Sequence, residues 1–389
     1  MADFFEVPRM SSAFPSLSRR SALRCAVGGL AALPFAAPAL AQRAAPARPW
    51  RVTQLLDMSA DQQELSRDYA TGVRLAFAEQ SRAGVRLPEL VTRELDGAPG
   101  ALDALLREVK ADPAQVALIG AAGERLAVDA VSGSRQLGLD IAHLGPWLPD
   151  TRFDGHDQVY PLFASRDMQI RHALQGLAAT GVSSLGLIYP SPAVQQRMHA
   201  GIVAGSAASS LRLQAHAVPA GGDAGSLAAT LPADLPAVLL FLGGTLELAL
   251  FSQGLARRGL QRYVIGLADI DIATLRQLGT GKGVSLVFTQ VVPNPQSSPL
   301  PLVRQYRDSL KAYFDENPSP VSLAGYVAGR YAARVLVKAG VAASRAAVLA
   351  EAGRRDGVDL GGVTIDFTRH RRGNYVNQIL LQGDGRLIG

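Results

Sequence analysis

Few side chains in this sequence stand in a pattern that makes or breaks bonds. The histidines His143, His156, His172, His199, His216 and His370 are scattered, and none belongs to an H-E-x-x-H pair. With Cys25 as the single cysteine, a zinc site has no workable spacing. There is no G-x-S-x-G elbow. Gly279-Thr280-Gly281-Lys282-Gly283 looks like a phosphate loop, but Gly283 stands where G-x-x-x-x-G-K-[ST] needs a hydroxyl, so it reads as a turn. The chemistry left is binding. Gly120-Ala121-Ala122-Gly123-Glu124 precedes a predicted helix, whose free N–H groups and dipole attract a carboxylate. The same segment also reads as a structural turn, and Glu124 would repel an anion unless it points away. Arg166 has a planar fork suited to an anionic group, or serves as a solvated hinge residue. Trp147, next to Pro146, could stack on an apolar or aromatic ligand, or close the edge of a core. Tyr189, at a strand end, has the same two readings.

The elements that must position these residues alternate. Arg51–Asp57 reads as a strand, with Val52, Leu55 and Leu56 apolar. Glu64–Ala83 reads as an amphipathic helix, because Leu65, Tyr69, Val73 and Phe77 recur at i+4, and Gly84 ends it. Strand Glu89–Leu95, helix Ala101–Lys110, strand Val116–Ile119 stopped by Gly120, helix Arg125–Ser132 and strand-like Asp140–Leu144 follow. A βαβαβ order requires a parallel sheet. After the strand Gln158–Ala164 the pattern restarts at Ser165-Arg166-Asp167. Helix Gln169–Thr180, strand Ser184–Tyr189, helix Val194–Ala208, strands Arg212–Val218 and Ala237–Leu242, and helix Leu246–Arg258 come next. Strand Val264–Leu267, helix Ile272–Leu278 and strand Val284–Thr289 close the series. Ligands of open α/β sheets sit beyond the carboxyl ends of strands, which marks the loop Ala268–Asp271. Val291–Pro301, with Pro293, Pro295, Pro299 and Pro301, suits an extended linker. Helices Leu302–Asn317, Ser322–Gly340 and Ala343–Ala352 follow, then Gly362–Phe367, Tyr375–Leu381 and Arg386–Ile388. Arg369-His370-Arg371-Arg372 reads as a solvated turn.

Composition narrows the class. Of 389 residues, 48% are hydrophobic and 19% charged, so a packed core is available and global disorder is excluded. Ser18-Arg19-Arg20-Ser21-Ala22-Leu23-Arg24 is a twin-arginine pattern, Val27–Leu40 is mildly apolar, and Ala39-Leu40-Ala41 offers a small-x-small cleavage site. Residues 1–41 therefore read as an export signal. Pro34 and Pro38 interrupt the apolar run, which is too short for a membrane span. Losing Arg9, Arg19, Arg20 and Arg24 with Asp3 and Glu6 takes the net charge from +6 to +4. No basic run is interleaved with aromatics, so nucleic acid is not an expected partner.

The stretch 264–290 carries a resemblance. A strand ending in Gly266, a short helix, Gly281-Lys282-Gly283-Val284 and a strand ending Phe288-Thr289-Gln290 resemble the substrate-binding proteins of branched-chain amino-acid ABC transporters. These are type I periplasmic binding proteins, typified by the leucine/isoleucine/valine-binding protein. Gly72-Val73-Arg74-Leu75-Ala76-Phe77-Ala78-Glu79 resembles the family's G-x-x-L-A-x-x-E, and Val116–Gly120 its strand ending Ile-Gly. The order of elements extends the likeness over residues 50–389.

The resemblance implies an α/β fold of two Rossmann-like lobes, each with a parallel sheet, joined by three crossovers. Residues 42–165 and 291–368 would form lobe 1, and 166–290 with 369–389 lobe 2. It places a cleft at the loops Asp57–Ser59, Gly120–Glu124, Gly145–Trp147, Tyr189–Pro192, Gly243–Thr245 and Ala268–Asp271. The expected ligand-binding set is Ser59, Ala121, Ala122, Gly123, Trp147, Arg166, Tyr189, Gly244 and Asp269. Two departures matter. The family's acid for a ligand ammonium falls on Ala268, with Asp269 beside it, and its tyrosine after the Tyr189 strand falls near Val194. The implied function is capture of a small polar or organic-acid ligand, amino-acid-like or aromatic, by a periplasmic monomer that serves an ABC permease in the inner membrane. No cofactor, metal or catalytic residue is expected. A periplasmic sensor for a membrane receptor or kinase, an exported α/β enzyme, and a receptor that has lost its site are the alternatives.

Overall fold

The computed structural model describes residues 50–389 apart from 61, 208–210, 233, 315, 368–371 and 383–385. The export-signal reading, Cys25 and most of the 369–372 cluster lie outside the described residues. Among those described, no helix is long and apolar enough to cross a membrane.

The described residues build two large sheets, each covered by helices, and a small two-stranded hairpin. The first half runs β1 (Arg51–Asp57), α1 (Gln63–Arg82), β2 (Glu89–Leu95), α2 (Ala101–Ala111), β3 (Gln115–Ala122), α3 (Glu124–Gln136), β4 (Ala142–Leu144) and β5 (Val159–Tyr160). These strands form one parallel sheet in the order β2-β1-β3-β4-β5. The chain then runs α4 (Arg166–Ala179), β6 (Ser184–Tyr189), α5 (Pro192–Ser206), β7 (Arg212–Ala217), α6 (Ala224–Thr230), β8 (Val238–Phe241), α7 (Thr245–Arg257), β9 (Tyr263–Gly266), α8 (Ile272–Leu278) and β10 (Ser285–Gln290). Helices α9 (Pro301–Tyr313), α10 (Pro320–Ala339) and α11 (Arg345–Gly353) return to the first sheet. The hairpin β11 (Val358–Asp359) and β12 (Thr364–Ile365) follows, then β13 (Asn377–Leu381) and β14 (Leu387–Ile388). The second sheet has the order β14-β13-β10-β9-β8-β6-β7. It is parallel from β10 to β7, and β13 and β14 extend it antiparallel.

The strands read as nearly continuous apolar runs because both faces are covered. On the first sheet, α1, α9 and α10 bury one face with Tyr69, Val73, Tyr306 and Val327, while α2 and α3 cover the other with Leu106, Val109, Ala127 and Val131. On the second, α6 to α8 pack on Phe241, Val264 and Phe288, and α4 and α5 on Leu187, Leu240 and Ile265. The fold is thus two Rossmann-like α/β lobes.

Several local expectations need correction. Gly120 does not stop β3: it sits inside the strand at φ +53°, and the strand runs on to Ala122. A side chain there would strike the Tyr69 ring at 2.8 Å, so glycine keeps the backbone against α1. Gln158–Ala164 shrinks to the two paired residues of β5. Helix α6 went unread, although Asp223 and Ser226 cap it reciprocally. Residues 291–295 are buried, so the first part of the proline-rich crossover is packed rather than an extended linker. Asn294 ties it to the C-terminal strand by donating to the Leu387 carbonyl at 3.2 Å. Arg372 is 1% exposed and not a solvated turn. Its Nε donates to both Asp154 carboxylate oxygens at 2.9 Å, and its Nη atoms donate to the carbonyls of Leu148, Phe163 and Asp150.

The α1–α10 crossing depends on glycine. A Cβ on Gly325 would lie 1.9 Å from the Tyr69 carbonyl oxygen, and one on Gly72 1.9 Å from that of Ser322. Gly325→Ala is therefore expected to destabilise the protein by about 3 kcal/mol or more in urea unfolding. Gly201→Ala, on the open face of α5 with nothing within 4 Å, should stabilise by about 0.5–1 kcal/mol through helix propensity alone. Equal effects of the two would show that the crossing is loosely packed.

Candidate functional site

The carboxyl ends of the two sheets meet at a cleft of about 530 Å³. Gln62, Glu124, Arg125, Val128, Asp150 and Arg152 line it from the first lobe. Pro190, Val194, Arg197, Met198, Leu242 to Gly244, Glu247, Leu267 and Asp269 line it from the second, with Arg166 at the join.

Arg166 is the first residue of α4, whose N-cap Ser165 accepts from the Met168 N–H. Its Nη2 donates to Glu124 Oε2 at 2.8 Å and to Asp269 Oδ2 at 2.9 Å. Glu124 opens α3 of the first lobe, and Asp269 follows β9 of the second, so one guanidinium bridges the lobes. Burial works against its charge, but Asp269 and Glu124 outweigh that and raise its pKa. Nearby, Arg152 donates to Asp150 at 2.9 Å. That bond, with a smaller contribution from Arg166, holds the Asp150 carboxyl below its usual range. Buried Gln169 fixes the loop that carries Asp269: its Oε1 accepts from the Ala268 N–H at 2.9 Å and from the Thr289 hydroxyl at 2.7 Å.

The helix starts around the cleft are mostly capped. Ser191 accepts from the Val194 N–H, Glu247 from the Gly244 N–H, and Asp271 from the Ala273 and Thr274 N–H groups. Helix α3 starts at Gly123, at φ +101°, with no side-chain cap. The Gly123 backbone lies against Asp57, whose Oδ1 accepts from Ser59 N and Oγ, while its buried Oδ2 has no partner among the described residues.

Of the sequence-predicted residues, Arg166, Gly244 and Asp269 line the cleft together. The others lie elsewhere. Ser59 braces Asp57. Ala121 and Ala122 are buried in β3, where their carbonyls accept from the Trp147 N–H and the Ser66 hydroxyl. Gly123 is buried at the start of α3. Trp147 is 7% exposed and packs edge-on against Tyr69 and beside Phe163. Tyr189 is fully buried, with its hydroxyl on His199 Nδ1 at 3.0 Å. Both rings fill cores. Sequence reasoning passed over Arg125, Arg152, Arg197 and Glu247. Only Glu247 carried a signal, three residues after Gly244 at a helix start.

Within the first lobe, Asp68 on α1 accepts from the Ser319 hydroxyl. Burial, partly opposed by that bond, pushes its carboxyl up to about 6, and the charges of Asp271 on α8 and Glu316 add to the shift.

Two outcomes follow. Arg166→Gln leaves Glu124 and Asp269 facing each other without a cation, so stability in urea should fall by about 1–2 kcal/mol for this half-buried bridge. Adding Asp269→Asn should recover part of the loss; no loss in the single variant would show that the bridge carries no energy. For Asp68, the folded pKa is raised, so the folded state holds a proton that the unfolded state releases above about 4. Its stabilising contribution is full below that pH and is lost as pH rises through about 6. Asp68→Asn should remove this slope and raise the melting temperature at pH 8 more than at pH 5; the same shift at both would contradict the sign.

The family model for periplasmic binding protein matches residues 49–381. A search of the curated proteins finds no match for the chain. Among solved structures, a substrate-binding periplasmic protein from Ralstonia solanacearum is 23% identical, with a TM-score of 0.73 over 87% of this chain and 99% of that one. The branched-chain amino acid transporter substrate-binding protein LivJ from Streptococcus pneumoniae, in complex with isoleucine, is 12% identical, with a TM-score of 0.71 over 88% and 98%. A fatty acid ABC transporter substrate-binding protein from Thermomonospora curvata is 15% identical, with a TM-score of 0.69 over 86% and 89%. At these identities the structures speak to the fold, which they share with this chain. With the family model matched over most of its length, the chain belongs to the type I periplasmic binding protein family.

Proposed function

We propose that this protein is an exported solute receptor. It captures a small polar or organic-acid ligand between its lobes in the periplasm and hands it to the permease of an ABC importer. The observation that carries the reading is the cleft at the carboxyl ends of both sheets, lined by both lobes and bridged by Arg166. A ligand bound there touches both lobes and favours their closed arrangement. We take lobe 1 as 42–165 with 291–368 and lobe 2 as 166–290 with 369–389, and the separation of the described strands into two sheets supports that division. Capture and release need no covalent step. The relatives' printed ligands, isoleucine for one and a fatty acid for another, support a solute-binding role and leave the ligand class to this chain's own residues.

A thermal-shift screen of the purified protein against amino acids, dicarboxylates, aromatic acids, amides and polyamines tests the reading. A ligand at about 100 times its Kd stabilises the folded state by about 2.7 kcal/mol, which raises the melting temperature of a chain this size by roughly a few degrees. One class giving a saturable shift with no product formed is the expected result. A bound compound turned over by the protein, or no shift in any class, would refute it.

A further inference from the structure

The cleft carries four carboxylates and four arginines, which balance in number but are not paired one to one. Four carboxylates line it, and each has a partner within the protein. Glu124 and Asp269 take Arg166, Asp150 takes Arg152, and Glu247 accepts from the Gly244 N–H. Of the four arginines, Arg152 and Arg166 are engaged in those pairs. Arg125 and Arg197 make no ion pair or side-chain hydrogen bond among the described residues, and both are exposed to the cleft. They stand on opposite walls, Arg125 in α3 of the first lobe and Arg197 in α5 of the second. Val128, three residues after Arg125, and Val194, three before Arg197, share a helix face with their arginine, and Met198 also lines the cleft.

Resting on the solute-receptor reading above, we infer that the ligand is a short dicarboxylate, with one carboxylate on Arg125, the other on Arg197, and its apolar chain against Val128, Val194 and Met198. Glu124 and Asp269 are engaged by Arg166, and Glu247 is turned to the Gly244 N–H, so the lining acids are less available to a ligand ammonium than Arg125 and Arg197 are to a carboxylate. A neutral solute leaves two cations, one on each wall, unpaired in a closing cleft. A dianion neutralises both, and because it touches both walls it rewards closure. Guanidinium and carboxylate pair through parallel N–H donors, which suits this role better than a point charge.

The test is isothermal titration of the purified protein with succinate, glutarate, butyrate and leucine, repeated on Arg125→Gln and Arg197→Gln. One of the two dicarboxylates is expected to bind saturably, and butyrate and leucine at least about tenfold more weakly. Each Gln variant should lose about 10- to 100-fold of the dicarboxylate affinity, the cost of one charged hydrogen-bonded contact. An unchanged melting curve without ligand shows that the variant is folded, and Arg→Lys at either position should restore part of the affinity. Tight binding of leucine, or dicarboxylate binding that both Gln variants keep, overturns the dicarboxylate assignment while leaving the receptor reading intact. No binding here, together with no shift across the wider screen, overturns both.

Discussion

The structure depends on one guanidinium that neither lobe can satisfy alone. Arg166 sits half-buried at the first crossover, where water is partly excluded and a charge is costly. Its two carboxylates come from opposite sides, Glu124 from α3 and Asp269 from the loop after β9. Separating the lobes would strip one partner from Arg166 and return three charged groups to water. Rehydration offsets much of the attraction lost on separation. The bridge does specify geometry: it holds the start of α3 and the end of β9 at a fixed approach, and this sets the width of the cleft.

Around that bridge the crossovers are tied down rather than loose. The Arg166 N–H donates to the Pro149 carbonyl. Arg372, from the last crossover, reaches the carbonyls on either side of it at Leu148 and Asp150, and the Asp154 carboxylate beyond. The turn that carries Asp150 and Arg152 into the cleft is thus anchored from behind by a buried cation from the far end of the chain. Asn294 does the same for the second crossover. Any hinge motion must bend a few backbone torsions between these anchors, since the anchors themselves would leave buried charge or carbonyls unpaired if broken.

What was legible in the sequence follows the range of the interaction. The i+4 repeat of Leu65, Tyr69, Val73 and Phe77 marks α1 because the helix period and the buried face are the same fact, and Ile272–Leu278 was placed to the residue since Asp271 and Gly279 bound it. The role of Gly120 was misread because a glycine in a turn and a glycine under a ring look alike locally; only Tyr69, fifty-one positions away, separates them. Arg372 was read as solvated because its neighbours are charged, whereas its partners lie more than two hundred residues earlier. Trp147 and Tyr189 sit at strand ends as expected, but their rings turn inward to Tyr69, Phe163 and His199. Backbone position at a strand end is encoded locally. Which way the side chain turns is decided by packing.

Arg166 also bears on selectivity. Here the protein supplies a cation to Glu124 and Asp269 from its own chain. A cationic ligand would have to displace a tethered guanidinium, which competes at the high effective concentration of an intramolecular group. Arg125 and Arg197 line the same cleft and make no ion pair among the described residues. On the dicarboxylate proposal, discrimination against ammonium comes from Arg166 through the acids it occupies, and preference for carboxylate from Arg125 and Arg197, with no dedicated repulsive residue required.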